Sequence, residues 1–208
     1  MAKVSIKLKD GGAYELSGTF RLIKSNGSTT EVTQPVALCR CGTSKTMPLC
    51  DGSETTSGFT GGGTLDYDIE LPRTYRGERI SVNFDANFCA HVAECLNGAP
   101  AVFDVHKRPW IMLKEADPDM VAEVVRRCPT GALTYKRLDG GADEHPDADA
   151  TVEVTANGPY EIRGDIEVVD TNNQVVYRAT RMSLCRCGAS RNRPFCDKSH
   201  EFVHFRAP

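Results

Sequence analysis

The stretch from Cys185 to His200 constrains the chain most, because it carries Cys185, Cys187, Cys196 and His200 at the spacing Cys-x-Cys-x8-Cys-x3-His. Gly188 and Pro194 interrupt any helix or strand period inside it. Three thiols and an imidazole are therefore gathered on a loop, which is the composition of a metal site rather than of a core. The spacing also discriminates between metals. Tetrahedral zinc loops present paired Cys-x2-4-Cys knuckles, and a tight Cys-x-Cys followed by one distant Cys and a His fits them poorly. A two-iron cluster fits better, with Cys185 and Cys187 on one iron and Cys196 and His200 on the other. Such mixed ligation raises the reduction potential and adds a ring nitrogen that titrates near neutral pH.

These residues resemble the CDGSH iron–sulfur family, the NEET proteins, whose motif is Cys-x-Cys-x2-Ser/Thr-x3-Pro-x-Cys-Asp-x-Ser-His. Every fixed position is present, and Lys198 stands where the name-giving Gly usually does. The resemblance implies a [2Fe-2S] cluster on Cys185, Cys187, Cys196 and His200.

Placing Tyr14 over Tyr160 exposes an internal repeat at a constant offset of 146. Gly18 then meets Gly164, Cys39 meets Cys185, Cys41 meets Cys187, Pro48 meets Pro194, Cys50 meets Cys196 and Asp51 meets Asp197. Each copy opens with period-2 alternation, Tyr14, Leu16, Phe20 and Leu22 in one and Tyr160, Ile162, Ile166 and Val168 in the other. Turn residues follow at Ser25-Asn26-Gly27 and at Asp170 to Asn173, and second strands are expected to run into Leu38 and Leu184. Each module thus reads as a β-hairpin feeding a cluster loop, too small to bury much apolar surface alone. NEET proteins pair such modules about a two-fold axis, so the resemblance implies an intramolecular pseudo-dimer.

One ligand position breaks the repeat. His200 is matched by Glu54, so the first set is Cys39, Cys41, Cys50 and Glu54. Three alternatives stand: Glu54 binds iron as a carboxylate, an outside His such as His91 or His106 replaces it, or the site holds a different centre. A hard carboxylate beside three soft thiolates is uncommon, although iron accepts oxygen donors.

The middle of the chain has its own signature. A strand from Ile80 to Phe84 leads to Cys89 and Cys95, which match the outer two thiols of a ferredoxin Cys-x2-Cys-x2-Cys run; Val92 occupies the middle position. Asp117-Pro118 opens a helix on whose buried face Val121, Val124 and Cys128 are expected, and Pro129 completes the remote ferredoxin Cys-Pro. With Cys128-Pro-Thr-Gly-Ala-Leu133 and Arg108-Pro-Trp110, this stretch is similar to the divergent single-cluster ferredoxins found beside CDGSH modules. The resemblance implies one cubane-type cluster. The missing fourth thiol favours [3Fe-4S] over [4Fe-4S], and His91 is a candidate fourth ligand. Trp110 is expected in the core.

Nine cysteines, an odd number in three groups of three, follow no disulfide pattern. The 208 residues read as an α+β, mostly β, chain in three parts: a CDGSH-like module at 1–68, the ferredoxin-like domain at 69–139, and a linker with the second module at 140–208. Acids and glycines between Leu138 and Ala150 read as a solvated linker, and Gly61 to Gly63 mark a boundary after the first module. A net charge of −3 and 7% aromatics argue against nucleic acid binding. No apolar run reaches membrane-spanning length, and the N-terminus alternates like a strand rather than a signal peptide, so a cytoplasmic chain is expected. Nucleophile–base sets and nucleotide-binding fingerprints are missing from the sequence. The expectation is a non-enzymatic monomer that carries electrons or donates clusters to redox or cluster-acceptor proteins. Its rivals are a zinc-stabilised interaction module and an electron-transfer subunit of a partner oxidoreductase.

Overall fold

The computed structural model describes residues 4–62 and 71–208. Among these described residues eleven strands and four short helices follow in the order β1 (Val4–Leu8), β2 (Tyr14–Gly18), β3 (Phe20–Ile23), β4 (Thr29–Val32), β5 (Val36–Leu38), α1 (Glu54–Ser57), β6 (Arg73–Arg76), β7 (Ile80–Phe84), α2 (Glu94–Gly98), α3 (Pro118–Arg126), β8 (Leu133–Arg137), β9 (Thr151–Val154), β10 (Tyr160–Val169), β11 (Val175–Leu184) and α4 (Ser199–Phe202). The chain is α+β and mostly β. It divides into two compact units, 1–68 with 146–208 and 69–145.

In the first unit both repeats contribute to one eight-stranded sheet. The offset of 146 carries β2 and β3 onto the two halves of β10, β4 and β5 onto the two ends of β11, and β1 onto β9. The repeat is therefore one strand longer in each copy than the hairpin reading. That leading strand ties the copies together: β1 pairs antiparallel with β2 of its own copy and parallel with β10 of the other, and β9 pairs antiparallel with β10 and parallel with β3. The registers are reciprocal, Ser5 opposite Glu167 and Arg21 opposite Thr151. Alternation supplies the core, with Val4, Ile6, Leu8, Tyr14 and Leu16 facing inward beside Val152, Tyr160, Ile162, Ile166 and Val168, all essentially buried. Gly18 and Gly164, both at positive φ, mark where each long strand changes register, and a Cβ at Gly164 would lie 2.8 Å from the Ala150 Cβ.

In the second unit β6, β7 and β8 form an antiparallel sheet, and α3 packs near β8. Asp117 caps α3 by accepting from Asp119 N–H and Met120 N–H at 2.9 Å, with Pro118 at the first helical position as its sequence demands. The helix stops at Arg126, so Cys128 is buried just beyond it rather than on its face. The residue before a proline is pushed out of the helical region, and Cys128 precedes Pro129. Trp110 packs edge to face on Phe84, with ring centroids 4.9 Å apart. The acidic stretch after Leu138, expected as solvated linker, is partly tied down: Asp143 accepts from Arg137 N–H at 2.7 Å, Glu144 from Tyr135 N–H at 3.2 Å, and Asp139 pairs with the Arg137 guanidinium. Of the expected boundary glycines, Gly63 lies outside the described residues.

Candidate metal centres

Both repeat loops are built the same way. β5 and β11 end at Leu38 and Leu184, which form isolated bridges to Leu49 and Phe195 and so close each loop at its neck. Cys39 N–H donates to Pro48 O and Cys185 N–H to Pro194 O, both at 2.8 Å; Cys50 N–H donates to Ala37 O and Cys196 N–H to Ser183 O, both at 2.9 Å. The motif's other fixed residues tie the loop to itself. Ser44 and Ser190 hydroxyls donate to Leu49 O and Phe195 O, and Asp51 and Asp197 accept from Lys45 N–H and Arg191 N–H.

This scaffold presents the donors in pairs. Cys39 Sγ lies 3.6 Å from Cys41 Sγ, and Cys185 Sγ 3.7 Å from Cys187 Sγ. Across each loop, Cys196 Sγ stands 3.5 Å from His200 Nδ1, and Cys50 Sγ 3.2 Å from Glu54 Oε2. Two thiolates sharing one tetrahedral metal at bond lengths of about 2.3 Å stand roughly 3.7 Å apart, and a thiolate–imidazole edge is roughly 3.5 Å. Among the described residues no three Cys, His, Asp or Glu converge as a single ion would require. The donors stand two by two.

Burial pushes Cys50 and Cys196 up to about 11, whereas Cys187 falls to about 6 by accepting a hydrogen bond from Cys185, whose own pKa is raised. Burial also lowers the His200 pKa, so at neutral pH its ring is in the uncharged form that binds metal. Sequence reasoning passed over two groups beside these thiols, although both obey the offset of 146. Arg40 and Arg186 are 2% and 1% exposed, bond to carbonyls (Lys9 and Gly62; Pro208 and Ala207), and each keeps an Nε without a partner. Arg186 lies within electrostatic reach of Cys39 in one loop and Cys187 in the other. Aromatic faces (Tyr14 and Phe59; Tyr160 and Phe205) also cover the two guanidinium groups, and a negatively charged thiolate–iron–sulfur group nearby would offset the remaining cost of burying their charge. The second missed pair is Tyr14 and Tyr160, whose burial raises their pKa values well above normal and keeps the hydroxyls protonated.

In the second unit Cys89, Cys95 and Cys128 line one cavity of about 30 Å³, with His91, Val92 and Thr130 in its wall. A single turn at Ala86–Phe88, capped by Asp85, delivers Cys89, and α2 carries Cys95. Burial raises Cys89, and it pushes Cys95 up to about 11, each further raised by the neighbouring Cys128. His91 and Ala93 have φ of 55° and 64°, an unusual pair in the left-handed region that turns the loop around this cavity. His91 Nδ1 is 3.8 Å from Cys89 Sγ, and its side chain is exposed. Thus the structure brings all three expected thiols together with the candidate fourth ligand.

Comparison with family models identifies an iron–sulfur protein. A family model described as the iron-binding zinc finger of CDGSH type matches twice, at residues 11–53 and 157–201, and one described as a divergent 4Fe-4S mono-cluster matches residues 75–138. The chain thus carries two CDGSH-type segments flanking a divergent 4Fe-4S mono-cluster domain. It is similar to the uncharacterized protein YjdI of Escherichia coli K12 and to its counterpart in strain O157:H7. Each is 41% identical over 64 residues, which are 31% of this chain and 84% of the relative. No solved structure matches the chain. Among the described residues, no helix is long and apolar enough to cross a membrane.

Proposed function

We propose that the chain is a carrier of electrons, and of clusters to acceptor proteins, with two [2Fe-2S] centres held by an intramolecular pseudo-dimer of CDGSH modules and one cubane-type centre in the middle domain. The carrying observation is the pairing of donors, 3.7 Å between Cys185 and Cys187 and 3.5 Å between Cys196 and His200, repeated in the first loop with Glu54 in the place of His200. When bound, such clusters supply reversible one-electron chemistry. The protein's part is to hold four donors, balance the negative charge with Arg40 and Arg186, and leave one ligand, His200, that a proton can displace. Its partners are redox or cluster-acceptor proteins, and the chain needs no substrate pocket of its own.

Cys89, Cys95 and Cys128 would hold a [3Fe-4S] centre in the middle domain. The 3.8 Å approach of His91 to Cys89 favours a second reading, a [4Fe-4S] centre with His91 on the fourth iron. Electron paramagnetic resonance of the oxidised protein separates them, because only the three-iron form is paramagnetic when oxidised. The carrier role is tested by titrating anaerobic protein with a one-electron reductant, then mixing it with an apo-[2Fe-2S] ferredoxin. Reversible bleaching of the visible bands, or transfer of iron and sulfide to the acceptor, is expected. Protein that neither takes up electrons reversibly nor gives up its clusters contradicts the proposal.

A further inference from the structure

Each cluster loop is fastened at its neck by a side chain from the other module. The Tyr14 hydroxyl is shared between Cys185 O and Pro194 O, both at 2.9 Å, and the Tyr160 hydroxyl between Cys39 O at 2.9 Å and Pro48 O at 3.0 Å. Both rings are fully buried. A phenol has one proton, so each forms a three-centre bond to a pair of carbonyls. One of that pair already closes the loop, since Pro194 O accepts from Cys185 N–H and Pro48 O from Cys39 N–H. The two tyrosines meet edge to face, centroids 6.3 Å apart, and each ring lies near its own module's buried guanidinium, Arg40 at 5.2 Å and Arg186 at 5.7 Å. The loop tips meet as well. A Cβ on Gly42 would lie 2.5 Å from Cys187 O, and one on Gly188 2.5 Å from Cys41 O.

We propose that Tyr14 and Tyr160 are crossed positioning residues: Tyr14 fixes the loop that presents Cys185 and Cys196, and Tyr160 fixes the loop that presents Cys39 and Cys50, so that each centre is set by the module that does not ligate it. This rests on the reading that both loops carry two-iron centres. Each tyrosine acts through the carbonyls of the ligand-bearing neck. Removing one hydroxyl leaves two carbonyls in a dry neck without their shared donor, an effect that lands on the opposite loop while the ring, its stacking and the local sheet stay in place.

The test compares Tyr14→Phe and Tyr160→Phe in the full, cluster-loaded chain, with Cys50→Ser or Cys196→Ser used in turn to leave one two-iron centre visible. Tyr14→Phe is expected to speed chelator-driven release of iron from the Cys185 to His200 centre by roughly tenfold and to shift its midpoint potential, with the first centre unchanged; Tyr160→Phe does the converse. A second readout is hydrogen exchange by mass spectrometry: Tyr14→Phe should loosen the backbone around Cys185 and not that around Cys39. Effects confined to the module carrying the substitution, or equal in both, overturn the crossed arrangement. Failure of the unsubstituted protein to form two-iron centres overturns the functional reading instead, while the exchange pattern still decides the positioning claim. Should a Phe variant fail to fold, nuclear Overhauser contacts between the Tyr14 hydroxyl proton and the Cys185 amide in the unsubstituted chain decide it, their absence counting against the claim.

Discussion

Replacing Glu54 with His is expected to raise the reduction potential of the first two-iron centre by on the order of 100–200 mV. Glu54 opens α1 as His200 stands in α4, and its Oε2 lies 3.2 Å from Cys50 Sγ where His200 Nδ1 lies 3.5 Å from Cys196 Sγ. A carboxylate ligand makes the centre one unit more negative than an imidazole does. At ~4 Å and an effective dielectric of ~20, an added electron is disfavoured by about 4 kcal/mol, roughly 170 mV for a one-electron couple, and partial exposure trims this. The assay is a redox titration followed by electron paramagnetic resonance, repeated across pH. In the native protein only the second centre should be proton-coupled. His200 has its pKa lowered by burial, so its ring is neutral at pH 7. Bound iron competes with the proton for the ring, so release would come only below that lowered value, where the ring gains a proton, iron loses a ligand, and the centre is destabilised on the acid side. Glu54→His should confer the same acid sensitivity on the first centre. An unchanged potential and two similar pH-dependent centres in the native protein would refute the carboxylate ligand and point to an outside histidine.

Lys198 sits in the left-handed region at φ 68°, as Gly52 does at 85° in the other loop, and it pairs with Glu201. Lys198→Gly should stabilise the chain by about 0.5–1 kcal/mol after the partly exposed ion pair is lost, read as a higher denaturation midpoint. Gly42→Ala meets both a φ of 82° and the Cys187 carbonyl 2.5 Å away, and should cost upward of about 2 kcal/mol and perturb the spectra of both two-iron centres. Cys128→Ser should abolish the cubane signal and leave the two-iron signals intact, because the second unit carries that site by itself. Val92→Cys should move that centre toward [4Fe-4S] by restoring a ferredoxin triad, measured by the loss of the oxidised three-iron resonance.

Much of this was legible because loops and alternation leave marks in sequence. The Cys and His spacings and the repeat offset pointed to the side chains that the fold brings together in pairs, and period-2 patterns ran into Leu38 and Leu184 where β5 and β11 end. What escaped is long-range. The pairing of β1 with β10 and of β9 with β3 joins residues more than a hundred positions apart, and alternation alone says which face is buried but not which strand lies alongside. Cys128 was misplaced onto α3 because helical period continued past the point where Pro129 forces the backbone out. Tyr14 and Tyr160 were visible as repeat partners, but their polar tips read as core aromatics until their hydroxyls were seen on the other module's carbonyls. Arg40 and Arg186 carried a signal too: a shared Arg inside a Cys-Arg-Cys step, too short a motif to reveal burial.

The most direct test of the central claim is iron and acid-labile sulfide analysis, with electron paramagnetic resonance, on anaerobically prepared protein. Two two-iron centres and a three-iron cubane predict about seven iron and about eight sulfide per chain, a visible colour, two distinct reduced two-iron signals and one oxidised three-iron signal. A colourless protein with zinc in place of iron and no labile sulfide would contradict it.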